Sequence, residues 1–141
     1  MWRRINNIIQ SINFYADFSP DLKTRQLVNQ TLCDRRALSL DEWFDRFWQP
    51  RGISKTIVSF VYTHLEKYSG LQVAKFRPGD RLEQDLKLTL VCWFDWHITL
   101  CEDFGLCFGI DISDRFDLRE FYTLEEFISF LDRQLLPINA L

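Results

Sequence analysis

Two capping boxes and a glycine stop divide this chain into short, sharply bounded helices. Ser39 is followed three residues later by Glu42, and Thr123 by Glu126. In such a pair the hydroxyl accepts from an amide of the first helical turn while the carboxylate returns to the cap's own amide, so two otherwise open donors are satisfied together. Behind the first box Leu40, Trp43, Phe44, Phe47 and Trp48 recur at helical spacing until Pro50 and Gly52 interrupt. Behind the second, Phe127, Phe130, Leu131 and Leu135 form a stripe that Pro137 ends. Between the two, Ser54 opens a helix whose Ile57, Phe60, Val61, His64, Leu65 and Tyr68 share one face, with Gly70 as its left-handed stop. Further upstream, Ile5, Ile8, Ile9 and Ile12 behind Trp2 predict an amphipathic helix that stops near Asp17. A second follows, with Ser19 as N-cap, Pro20 at the first helical position and Leu22, Val28 and Leu32 buried, ending by Arg36.

The segment 86–112 supports two readings. Leu86, Leu88, Leu90, Cys92, Phe94, Trp96, Ile98 and Leu100 alternate with less apolar residues, the period of a strand. Leu100, Phe104 and Cys107 or Phe108 also fit a helical face, and one strand over the whole segment would run about 90 Å, too long for a domain of this size. Either a hairpin turns near 103–105, giving an α+β fold, or a helix begins near Asp95.

With 141 residues, 47% hydrophobic and 22 aromatic, the chain reads as a single domain (1–141) able to bury a core without a metal or disulfide staple. Its net charge of −3 lacks the lysine and arginine surplus that a general nucleic-acid binder needs. The sign is uneven: from Leu82 onward four basic residues face twelve carboxylates, about −8, which points to a basic partner. Arg3 and Arg4 lead into Asn6, Asn7 and Gln10 where a signal peptide would need an apolar run, and Asp95, His97, Glu102 and Asp103 interrupt the most apolar stretch. These features point to a cytoplasmic protein with reduced thiols and no membrane span.

The order of Arg77–Leu86 (RPGDRLEQDL), Phe108–Ile112 (FGIDI) and Thr123–Leu131 (TLEEFISFL) after a helix ending at Gly70 resembles the acyl carrier protein family, in particular a divergent bacterial branch of acyl-carrier-like proteins. The resemblance covers about 54–136. It implies an all-α fold, a carrier-like helical bundle with a three-helix N-terminal extension (1–53), a helix over about 95–107 and an inserted loop at 87–93. It also implies an acidic docking helix, on which Asp95, Glu102 and Asp103 are the candidate partner-binding residues. The family's phosphopantetheine arm is carried on a serine hydroxyl at the start of that helix. Counting from Asp85 and Leu86 places Leu90 there, and counting back from Phe108 places Phe94; neither side chain has an oxygen. Thr89 is adjacent in the first register but displaced from the point of in-line attack.

Other constellations are weaker. Cys92, His97, Cys101 and Cys107 include soft-metal ligand types, yet no close Cys pair is present and Cys92 lies about 140° round a helix from His97. His97 with Cys101 would be the pair for a thiol hydrolase, without a glycine-rich turn or oxyanion motif beside it. His64 falls on an apolar face, as a core histidine does. Asp103-Phe104-Gly105 spells a kinase triplet without the rest of that machinery. Asp111, Asp114 and Asp117 lack the glycine and terminal glutamate of a calcium loop. The reading that follows is a non-catalytic interaction module, not an enzyme, with no cofactor and with a basic protein partner; whether the bundle retains a non-covalent lipid is open. The alternative is a small acidic inhibitor or immunity-type protein anchored by Trp43, Phe44, Phe47 and Trp48.

Overall fold

A computed structural model of the chain describes residues 20–136. The expected helix over Trp2–Ile12 and the stop at Pro137 lie outside the described residues. The protein is mostly helical. Among the described residues the α-helices are α1 (Leu22–Thr31), α2 (Leu40–Trp43), α3 (Lys55–Ser69), α4 (Leu88–Val91), α5 (Trp96–Phe108) and α6 (Leu124–Arg133). The described residues contain no strand, only an isolated antiparallel bridge between Arg81 and Thr123, so the hairpin alternative for 86–112 is not adopted.

Local chemistry accounts for the helix ends. Both capping boxes form, with Ser39 accepting from Glu42 N and Thr123 from Glu126 N while each glutamate returns to its cap. Ser54 caps α3, and Gly70 closes it at φ 70°. The N-cap of α1 is Asp21 and not Ser19, because the Asp21 carboxylate takes both the amide and the hydroxyl of Thr24. That helix ends at Thr31, within the expected limit of Arg36, but Leu22 is 67% exposed while Val28 and Leu32 are buried.

The aromatic segment after α2 is not a simple α-helix. It widens into a π-turn over Phe44–Trp48 and tightens into a 3₁₀ turn over Gln49–Arg51, with left-handed Gly52 ending it. The wide turn brings Trp43 and Trp48, five residues apart, onto the same side, where their rings meet edge to face at 5.4 Å. Both are fully buried, and Trp43 Nε1 donates to Phe76 O.

Helix α3 is the central element. The π-turn and α6 pack on it, and Ser54 Oγ donates to Asp132 of α6 at 2.8 Å. Phe60 of α3 meets Phe104 of α5 edge to face, and Tyr68 lies against Trp96. The long connection from α3 to α4 is held by buried Leu71, Val73, Phe76, Leu82 and Leu86. The segment expected as an inserted loop contains α4, which starts at left-handed Lys87 (φ 52°) and supports α1 through Asp21 N to Leu90 O and Arg25 Nη2 to Val91 O.

Candidate interaction surface

Helix α5 buries Trp96, Leu100 and Phe104, one residue per turn, against α3. Ile98, Glu102 and Leu106 repeat the same four-residue step on the opposite side. Ile98 is 52% exposed, Leu106 85%, and Glu102 between them faces solvent. A leucine this exposed sits where a core-facing stripe is already complete, so its apolar surface is available for contact with another molecule.

The three carboxylates singled out from sequence have different fates. Asp95 is a correction: it is buried, at 6% exposure, where the chain turns into α5, and its carbonyl accepts from the amides of Ile98 and Thr99. Asp103 sits beside the α3 contact, where its Oδ2 accepts from Tyr68 Oη at 2.5 Å and Lys67 Nζ at 3.1 Å. Burial pushes its carboxyl up, but those two donors outweigh burial and keep it below the usual carboxylate value. Its charge is directed into the fold. Glu102 alone of the three is exposed to solvent.

Sequence reasoning missed Ile98 and Leu106. Their signal is an apolar residue two positions off the stripe of Trp96, Leu100 and Phe104, visible only once that stripe is known to face the core. The aromatic anchor of the inhibitor reading is also corrected, since Trp43 and Trp48 are shielded in the core and Phe44 and Phe47 are half-buried beside them.

No hydroxyl stands where the carrier resemblance implies one. Leu90 belongs to α4, Phe94 to the turn between helices, and α5 itself opens on Trp96 and His97. Thr89 is exposed, and its amide donates to Glu83. Beside these residues a groove of about 1170 Å³ runs between α4, the turn into α5 and the 114–120 segment, lined among others by Leu90, Phe94, Phe116 and Leu118.

The remaining candidates are engaged locally. Burial, followed by the charges of Asp111 and Glu102, pushes the Cys101 thiol up to about 11, so it is protonated at neutral pH and a poor nucleophile. Burial also raises Cys92 strongly. His64 lies 2.9 Å from Phe60 O through Nδ1 and stacks on the Phe60 ring. Asp111 accepts from the amide and hydroxyl of Ser113, and Asp117 from Arg119. Among the described residues no three His, Cys, Asp or Glu side chains converge as metal ligands, and no helix is long and apolar enough to cross a membrane. Compared with protein-family models, with curated proteins and with solved structures, the chain matches none.

Proposed function

We propose that this chain is a non-catalytic protein-interaction module of acyl-carrier-like build, lacking the attachment site for a phosphopantetheine arm, that docks a basic cytoplasmic partner through the outer side of α5. The observation that carries the reading is the Ile98–Glu102–Leu106 row, two exposed apolar side chains flanking an exposed carboxylate on a helix whose inner side is already packed. Covering Leu106 alone would contribute about 1.5–3 kcal/mol by removing apolar surface from water. Glu102, within an acidic C-terminal half, would steer a basic partner and set its register more than it would add affinity.

Two measurements test this. Incubation with coenzyme A and a broad phosphopantetheinyl transferase leaves the intact mass unchanged; a gain matching the arm would overturn the reading. Affinity capture from native extract with the wild-type chain and with a Glu102→Lys/Leu106→Glu variant of unchanged melting temperature retrieves a partner only with the wild type. An identical set of proteins on both baits would remove α5 as the docking element.

A further inference from the structure

We propose that Arg36, Arg46 and Arg77, brought together beside Phe47, form a second interaction surface, one that takes a short acidic peptide segment of a partner protein. None of these residues belongs to α5 or to its Ile98–Glu102–Leu106 row, so the surface is separate from the one assigned to a basic partner.

Tertiary packing assembles the cluster from three places. Arg36 follows α1, Arg46 lies in the π-turn, and Arg77 lies in the connection from α3 to α4. The Arg46 and Arg77 guanidinium carbons lie 5.7 and 5.2 Å from the Phe47 ring centroid, both within cation–π range of one ring. Arg77 Nη2 donates to Arg36 O at 3.0 Å and Nη1 to Phe76 O at 2.8 Å, so backbone oxygens hold the side chain in place. Among the described residues no carboxylate pairs with its guanidinium, and the exposed Arg46 side chain makes no hydrogen bond or ion pair.

The charge of the cluster is left unbalanced. Of the nearby carboxylates, Asp80 is taken by Arg35 and Glu42 by Arg36, two acids against four arginines. Burial first, then the charges of Arg35, Arg46 and Arg36 against Asp80, hold the Arg77 guanidinium below the usual arginine value. It remains charged at neutral pH, so its repulsion with the neighbouring arginines persists until an anion relieves it.

The rest of the chain selects the kind of anion. Guanidinium forks meet carboxylate and phosphate oxygens alike. A nucleic-acid strand, however, carries charge along its whole length, and a chain of net charge −3, with about −8 from Leu82 onward, repels whatever lies off the cluster. A short acidic segment brings its carboxylates to these guanidiniums alone, and half-buried Phe47 offers an apolar contact beside them.

Fluorescence anisotropy of a labelled hexaglutamate peptide with the full chain at low ionic strength tests the proposal. Saturable binding is expected, weakening as salt is added. Arg46→Glu, at an exposed side chain that makes no bond, should weaken it by about tenfold or more, and Arg46→Lys by less, since it keeps the charge and loses the fork. Arg133→Glu makes the same change of charge at an exposed residue of α6 and should leave the affinity within about twofold. Absence of binding by the wild-type chain overturns the proposal. So does an equal loss with Arg133→Glu, which would reduce the effect to net charge. An oligonucleotide of equal charge that binds as tightly as the peptide would overturn the assignment to an acidic peptide in favour of a phosphate polyanion.

Discussion

Arg35 grips both carboxylate oxygens of Asp80, Nη1 to Oδ2 at 2.7 Å and Nη2 to Oδ1 at 2.9 Å, across 45 residues of sequence. Asp80 is buried, accepts as well from Arg77 N, and offers its carbonyl to Leu124 N. One residue thus ties the segment after α1, the α3–α4 connection and the start of α6. Asp80→Ala should lower unfolding free energy by about 2–4 kcal/mol, because it leaves Arg35 with only the Lys75 carbonyl and the Arg77 amide without its acceptor. Asp80→Asn should cost nearly as much. Arg35→Lys should fall between it and wild type, since an ammonium cannot make the paired contact. Urea titrations with an unchanged m-value check the series; a loss below about 0.5 kcal/mol for Asp80→Ala would contradict the role.

The Tyr68–Asp103 contact makes stability depend on pH. The Asp103 carboxyl is held below its usual value, so its contribution is present above the unfolded value of about 3.9 and is lost as pH falls through the lower folded value. Tyr68→Phe should cost about 1–2 kcal/mol at pH 7 through loss of a hydrogen bond to a charged acceptor. The gap between wild type and variant should narrow as pH falls below the unfolded value of about 3.9 and close once the lower folded value has been passed. A pH-independent gap would mean that packing, not the carboxylate, accounts for the loss.

Two neighbouring tryptophans should respond differently to the same change. Trp43 Nε1 donates to Phe76 O, whereas Trp48 Nε1 is buried with no acceptor among the described residues. Trp43→Phe removes one of two donors to the Phe76 carbonyl, which keeps Arg77 Nη1, while Trp48→Phe removes a donor that makes no bond, so the first should be the more destabilising by about 0.5–1.5 kcal/mol. Thermal denaturation of the two variants side by side decides it.

Thiol reactivity should follow burial. Cys33 and Cys107 are exposed, Cys101 is intermediate with its thiol pushed up to about 11, and Cys92 is buried. Iodoacetamide at pH 7.5 should modify Cys33 and Cys107 first, Cys101 slowly and Cys92 only on unfolding, as read by peptide mass spectrometry. Preferential labelling of Cys101 would revive it as a nucleophile paired with His97.

The alternation over 86–100 shows why part of the fold was hidden. Leu86, Leu88, Cys92, Trp96 and Leu100 are buried, but Leu90, Phe94 and Ile98 from the same apolar series are each about half exposed. What looks like one strand is the overlap of two helices: α4 buries Leu88 and Val91 with Cys92 at its end, and α5 restarts the stripe at Trp96. The half-exposed members of the series, together with Leu106, are the ones that form the outer surface of this region. Composition marks them as core, and only the way α4 and α5 pack on the rest of the fold shows that they are not.

The sequence by itself determined the helix boundaries at Ser39, Ser54, Gly70 and Thr123, because caps and left-handed stops are hydrogen bonds and dihedrals made within a few residues of chain. The tertiary structure decided which carboxylates and apolar side chains reach solvent. Burial of Asp95, engagement of Asp103 by Tyr68, exposure of Leu106 and the π-turn that brings Trp43 onto Trp48 all depend on which surfaces meet across distant parts of the chain. Local spacing carries no record of those partners.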